Sequence, residues 1–314
     1  MLLREIKLYL EKIFDKSVNI VFAADDNYSL CTIVALYSLI SHTSKENNYD
    51  IVIFESGISE ENKKIMTDLV LDYKNISLRF FNTKKFFEEY KFFNYSYYTP
   101  DTYARLYIPD VMKNHDKAIY LDCDIIVLDD IAKLYDYEFG NNIVAGNRNY
   151  GLIVHYYQKP DIKKYYDELY PIKNIENSVN SGVLLMNLEE LRKINLAKQG
   201  QELLNKYKRL LCQDEDILNK VCEGRVGFIG SEWNWRFAVP EPLIYDYRLI
   251  KFAQEWAKGL YSQKIIHYIC RTKPWDEPNM YYADIWWAWA KKSPVYQILL
   301  KNYFEKHPEM LNKS

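Results

Sequence analysis

Short apolar runs alternate with longer amphipathic stretches through the first part of the chain. Val18 to Ala23 reads as a buried strand, and a polar break, Asp25-Asp26-Asn27-Tyr28, follows it. Residues 29–43 read as a helix, and Asp50 to Glu55 as a second strand. Ser59 opens the next helix, with Glu61 in its first turn and apolar Ile65, Leu69 and Val70 behind. Ile76 to Phe81 is a third strand, Thr102 to Met112 a helix, and 117–128 a fourth strand. Ahead of all these, residues 2–14 predict a short amphipathic helix with Leu3, Ile6, Leu10, Ile13 and Phe14 inward. Strands alternating with helices predict a doubly wound α/β sheet with helices on both faces. Such sheets bind ligands beyond the carboxyl ends of their strands. Asp25, Asn27 and Tyr28 fall at one such end, and Asp122 and Asp124 at or near another.

The fourth strand carries the sharpest signal. In KAIYLDCDIIVLDD, Asp122 and Asp124 flank Cys123 inside an otherwise aliphatic run. Residues two apart on a strand share a face, so a continuous strand sets two carboxylates side by side. Like charges that close disfavour ionisation, and a divalent cation removes the conflict. Oxygen ligands suit Mg²⁺ or Mn²⁺, and such a metal commonly serves a phosphate. The competing reading is chance: the chain has 43 acidic residues and a second D-x-D at Asp214 and Asp216. The apolar flanks favour the metal, because unpaired buried charge is rarely tolerated. No G-x-G-x-x-G and no G-K-[ST] is present, so any phosphate must be held by metal and side chains.

Three clusters lie downstream. Asn180-Ser181-Gly182 precedes the apolar run VLLMNL; a glycine entering a strand marks either close approach of a ligand or backbone or an ordinary turn. Gln213-Asp214-Glu215-Asp216 opens a helix, and helix capping competes with a functional role there. In IIHYICRTKPW, His267 is either a buried structural histidine or a third metal ligand, and Lys273 is a candidate phosphate contact.

Composition narrows the classes. At 314 residues and 48% hydrophobic, the chain can bury one large core or two smaller ones. A net charge of −2 gives no case for nucleic acid. Cys31, Cys123, Cys212, Cys222 and Cys270, five in irregular spacing, predict free thiols in a reducing compartment. The charged start MLLREIKLYLEKIF is neither signal peptide nor membrane span, so a cytoplasmic location is expected.

Taken in order, these segments resemble glycosyltransferase family 8, whose bacterial members build lipo-oligosaccharide cores. The resemblance is carried by IVFAADDNY at 20–28, TYARL at 102–106, YLDCDIIV at 120–127, NSGVLLMNL at 180–188, QDEDILN at 213–219 and HYICRTKPW at 267–275. It implies a Rossmann-like GT-A fold, a UDP-hexose donor and transfer with retention at the anomeric carbon. It further implies that Asp122, Asp124 and His267 hold Mn²⁺, or Mg²⁺, against the diphosphate, with Cys123 between the two carboxylates. Ala23, Asp25, Asn27 and Tyr28 would hold uracil and ribose. Arg105, Asp122, Asn180, Ser181, Gly182, Asp214 and Glu215 would surround the donor sugar, and Arg105, Asp214 and Glu215 would act in catalysis. The plain alternative for Arg105 is a helix-surface ion pair. Lys273 and the backbone at Cys270 would meet the diphosphate, and Tyr95 to Pro100 would line the acceptor side.

Two positions depart from the family pattern. Glu215 stands where glutamine is usual, so a carboxylate near the anomeric carbon acts either as a nucleophile or as an electrostatic stabiliser. Cys270 stands where glycine is usual, and its β-carbon either crowds the phosphates or forces a shifted loop. The expected division is a helical extension at 1–17, a GT-A domain at 18–275 and an amphipathic tail at 276–314. Within that tail, 281–304 combines Trp286, Trp287 and Trp289 with Lys291, Lys292 and Lys301. Such a stretch suits peripheral contact with the inner membrane leaflet, and a helix packed on the core or a homo-oligomer contact competes with that reading. The expected activity is transfer of galactose or glucose from a UDP-sugar to a glycan or glycolipid acceptor of the cell surface. Transfer to a protein-linked glycan is the alternative within the class. A UDP-sugar-binding protein or UDP-sugar hydrolase is the alternative outside it.

Overall fold

The computed structural model describes residues 9–84, 88, 100–207, 209–237, 242–269 and 271–308. A seven-stranded sheet forms its centre, in the order β3-β2-β1-β4-β7-β6-β8. These strands are β1 (Val18–Ala24), β2 (Tyr49–Glu55), β3 (Ile76–Asn82), β4 (Lys117–Leu121), β6 (Val144–Arg148), β7 (Val179–Asn187) and β8 (Val226–Phe228). β5 (Ile125–Val127) and β9 (Ile265–His267) make a separate antiparallel pair. β1 is almost wholly buried, as its mainly apolar sequence requires of a strand covered on both faces, and buried Asn19 donates to Lys117 O and Tyr135 Oη. One core layer lies between the sheet and a face made by the helix Ser29–Ile40, the β5–β9 pair and the C-terminal helices. A second layer, around Leu106, Ile108, Tyr166 and Ile217, covers the opposite face.

The sheet is mixed: β1 to β4 run parallel, but β7 is antiparallel to both β4 and β6. Three expectations change. The expected strand 117–128 is broken after Leu121, because Asp122 N–H still bonds Gly182 O on β7 while Ile125 onward pairs with β9. The expected helix 102–112 becomes Pro100–Ala104, a 3₁₀ turn Arg105–Tyr107 and a short helix Ile108–Val111. Pro109 has no N–H to continue an α-helical ladder into Arg105. Lastly, residues 9–17 contain no helix; residues 1–8 lie outside the described part. Leu10 N–H bonds Val111 O and Glu11 O accepts from Arg79 Nη1, so long-range partners take the backbone groups a helix would use internally.

The tail packs on the core. Helices Ala283–Lys292 and Tyr296–Lys306 bury Trp286 completely, with Ala283, Ala290, Val295 and Leu299. Trp287 and Trp289 lie partly buried against the same layer. Among the described residues no helix is long and apolar enough to cross a membrane. Cys31, Cys123, Cys212 and Cys222 are free thiols, and Cys270 lies outside the described residues.

Candidate active site

The break after Leu121 builds the site. Two carboxylates leave the end of β4, and β5 then pairs with β9 in a register that opposes Ile125 to His267. Tyr268 N–H donates to Asp124 O at 2.9 Å and fixes that alignment. His267 Nε2 consequently lies 3.2 Å from Asp124 Oδ1 and 3.6 Å from Asp122 Oδ2. Ligand atoms of the three residues all fall within 4.8 Å of one another.

The outward atoms of this trio are already held. Asp122 Oδ1 accepts from Arg105 Nη2 at 3.0 Å and from Tyr120 Oη at 2.8 Å. Asp124 Oδ2 accepts from Lys273 Nζ at 2.5 Å, and Lys273 also donates to Tyr268 O. One oxygen of each carboxylate is therefore fixed by the protein, while the other faces His267. Burial alone would raise the Asp124 carboxyl, but the neighbouring His267 and Lys273 outweigh it and hold it well below the usual range. Gly182 on β7 closes the floor. A β-carbon there would stand 2.2 Å from His267 Cε1 and 2.6 Å from Asp122 Oδ2. Gly182 lies within β7 rather than in a turn, and what approaches it closely is the His267 and Asp122 side chains.

Arg105 is buried, not a surface partner. It sits 4.2 Å from the Tyr120 ring centroid, donates to Ser181 O at 2.6 Å and places Nε 3.1 Å from Asp214 Oδ2. Burial would lower its proton affinity, but Asp122 and Asp214 raise it further above its already high value, so it is a permanent cation.

The acidic helix start divides between capping and the site. Asp216 does the capping: its Oδ2 accepts from Cys212 N–H at 2.9 Å and its Oδ1 from Tyr166 Oη at 2.7 Å. Gln213 adopts φ 52°, in the left-handed region, at the turn into this helix. Asp214 and Glu215 point instead at β7. Asp214 accepts from Ser181 Oγ at 3.0 Å. Glu215 Oε2 accepts from Asn180 Nδ2 at 3.0 Å and Ser181 N–H at 3.2 Å, and Oε1 accepts from Asn149 Nδ2. Burial, helped by the Asp214 charge, pushes the Glu215 carboxyl up to about 7. Burial also raises the Asp214 carboxyl, against the lowering effect of Arg105.

At the end of β1, Asp25 caps a 3₁₀ turn by accepting from Tyr28 N–H at 3.1 Å and from Asn27 Nδ2 at 3.0 Å. Asp26 turns away, accepting from Ser59 N–H and Asn62 Nδ2. Tyr28 meets Trp275 edge to face, centroids 6.3 Å apart. Burial raises its phenol, which also feels the charges of Lys273 and Asp124. A groove of 310 Å³ runs beside this turn between Asn27, Trp275 and the last helix. Cys123 is buried and its Sγ lies 3.1 Å from Ala23 O, tying the two strand ends together. The structure thus gathers Arg105, Asp122, Asp124, Asn180, Ser181, Gly182, Asp214, Glu215, His267 and Lys273 around one point, with Ala23, Asp25, Asn27 and Tyr28 at its side. Cys270 and residues 95–99 lie outside the described part.

Sequence reasoning missed Asn149, Asn234 and Tyr120. Asn234 bonds both Asn180 and His267. Its signal was a lone amide between two tryptophans in WNW, since a polar group buried among aromatic residues needs defined partners.

Comparisons with known proteins place this geometry. The model of the family described as "Glycosyl transferase family 8" matches residues 19–278. A Haemophilus influenzae protein that carries a provisional glycosyltransferase name is 30% identical over 229 residues, 70% of this chain and 64% of that one. General stress protein A of Bacillus subtilis is 25% identical over 267 residues, 83% of this chain and 88% of its own. Among solved structures, the galactosyltransferase LgtC, determined with donor and acceptor sugar analogues, superposes with a TM-score of 0.71 at 27% identity. That match covers 88% of this chain and 96% of LgtC. The bifunctional glycosyltransferase WbbM gives 0.82 at 26% identity, covering 93% of this chain but 53% of WbbM. The architecture is therefore the GT-A fold. The chain spans less than two thirds of the Haemophilus relative and about half of WbbM.

Proposed function

The chain belongs to glycosyl transferase family 8, and from that premise we propose that it is a retaining, metal-dependent hexosyltransferase. Its donor is UDP-galactose or UDP-glucose, and its acceptor a surface glycan such as a lipo-oligosaccharide. The observation that carries this reading is the convergence of Asp122 Oδ2, Asp124 Oδ1 and His267 Nε2, with the opposite carboxylate oxygens already pinned by Arg105, Tyr120 and Lys273. Two oxygens and one imidazole nitrogen fit Mn²⁺ or Mg²⁺. When bound, the ion supplies charge neutralisation at the diphosphate.

The chain's own residues do the rest. Asp25, Asn27 and Tyr28 bind uracil and ribose, and Lys273 reaches the diphosphate, where its charge gains value as UDP departs. Arg105 and Asp214 orient the sugar from a fixed ion pair, with Ser181 held between them. Glu215 provides negative charge on the side where the anomeric carbon becomes positive. Three N–H donors engage its oxygens. That engagement supports a stabilising role, with the acceptor attacking on the leaving-group face, over a free nucleophile.

UDP release from UDP-galactose and UDP-glucose, with and without candidate acceptors, tests the reading. An acceptor-dependent rise is expected. Release that ignores every acceptor would mean a hydrolase, and tight donor binding without release would mean a binding protein.

A further inference from the structure

A directed chain of side-chain hydrogen bonds runs from Glu215 to His267. Its polarity is set by groups that have no choice. Gly182 N–H can only donate, and it faces Asn180 Oδ1 at 3.3 Å. At the other end of the amide, Asn180 Nδ2 faces Glu215 Oε2 at 3.0 Å. Asn180 is therefore locked with its oxygen toward Asn234. Asn234 must present its NH₂ to that oxygen, and Nδ2 lies 2.9 Å from it. Asn234 Oδ1 is then left facing His267 Nδ1 at 2.9 Å. An amide oxygen only accepts, so Nδ1 must carry the proton. The lone pair of the imidazole falls on Nε2, the atom that faces Asp122 and Asp124.

We infer that Asn234, oriented through Asn180, is a positioning residue that fixes the His267 tautomer so that Nε2 is free to ligate a divalent cation. The inference rests on the metal reading of the Asp122, Asp124 and His267 trio. Asn234 and His267 are each 1% exposed, so water does not compete for these bonds. Asn234 is held by the 3₁₀ turn Ser231–Asn234, and Trp235 N–H and His267 N–H exchange backbone bonds with Ile265 O and Trp235 O beside it. The turn thus fixes the distance between the amide and the ring. Asn180, which the family resemblance would set against the donor sugar, has both ends of its amide engaged by protein. Its role becomes transmission of orientation. Partners of this kind commonly change metal affinity 10–100-fold when removed.

Two substitutions separate tautomer control from simple packing. Asn234→Leu keeps the volume but offers His267 no acceptor. Asn234→Asp keeps an acceptor for Nδ1–H and, like leucine, loses the donor to Asn180. The measurement is Mn²⁺ affinity in the presence of UDP, by electron paramagnetic resonance of the free ion, on the full-length variants. Nitrogen-15 NMR of the metal-free wild type, with His267→Ala for assignment, reads the tautomer directly. The expected result is an Nδ1–H tautomer, a 10–100-fold loss of Mn²⁺ affinity in Asn234→Leu, and a loss of no more than about threefold in Asn234→Asp. Equal losses in both variants, wild-type affinity in Asn234→Leu, or an Nε2–H tautomer would overturn the inference while leaving the metal site standing. A wild type that binds no Mn²⁺ would remove the metal reading and the inference with it. If Asn234→Leu does not fold, the NMR tautomer and the affinity of Asn234→Asp still decide.

Discussion

Glu215→Gln should change how stability depends on pH. In the folded protein burial raises the Glu215 carboxyl from 4.5 to about 7. At 1.36 kcal/mol per pH unit, that rise corresponds to roughly 3 kcal/mol. Because the folded value is the higher one, the folded state holds a proton that the unfolded state has released anywhere between pH 4.5 and 7. Wild-type stability therefore falls as pH rises through this window, and the full cost is present above pH 7. Below 4.5 both states are protonated and the term vanishes. Glutamine does not titrate and escapes the penalty. It pays separately, at every pH, for turning an NH₂ toward Asn149 Nδ2 or toward the Asn180 and Ser181 donors. The pH-dependent part can thus be isolated: urea unfolding of metal-free wild type and variant at pH 5 and pH 8 should show the variant gaining roughly 2–3 kcal/mol relative to wild type between the two. Transfer activity should fall partially, not vanish. A stability difference that stays constant from pH 5 to pH 8 would refute the argument that Glu215 is buried at the expense of its charge.

Other substitutions report on other parts of the site. Gly182→Ala should abolish most UDP release and lower the melting temperature, because its β-carbon has no room beside His267 and Asp122; wild-type turnover in a scan of this variant would deny the close packing of β7 on the trio. Asp214→Asn should cost more activity than Glu215→Gln in steady-state kinetics with both UDP-hexoses, since it removes the negative charge that partners buried Arg105. Trp286→Ala should destabilise the fold by roughly 3–5 kcal/mol in chemical denaturation, as its ring is fully enclosed; a loss below about 1 kcal/mol would show that the tail is not part of the core.

Local pattern carried much of this architecture. β1, β2 and β3 appear within a residue of where their apolar runs place them, because runs of aliphatic and aromatic residues favour the covered positions of a sheet. Asp122, Asp124, His267, Arg105 and the acidic helix start all reach one point. What local pattern does not encode is pairing. The apolar residues on both sides of the acid pair read as one strand, yet they belong to two sheets, since β7 claims Leu121 and β9 claims Ile125. Antiparallel β7 was likewise invisible, because burial looks the same in either direction. The acidic cluster shows a finer limit. Three consecutive carboxylates fit a helix cap equally well, and only their partners in the fold show that Asp216 reaches back to Cys212 N–H while Asp214 and Glu215 face β7. The tail's tryptophans suited a membrane surface as well as a core; in the fold Trp289 meets Tyr37 of the helix Ser29–Ile40, and Trp286 is enclosed beside Trp275.

If Asp122, Asp124 and His267 hold a divalent ion against the diphosphate of a UDP-sugar, calorimetry of UDP and of uridine in Mn²⁺ and in excess chelator should reveal it. Mn²⁺ should strengthen UDP binding by at least about tenfold, or roughly 1.4 kcal/mol. Uridine, which has no phosphates, should show no change, and Asp124→Ala should lose the Mn²⁺ effect. UDP binding that is equally tight in chelator, or an Mn²⁺ effect that survives in Asp124→Ala, would contradict the metal reading.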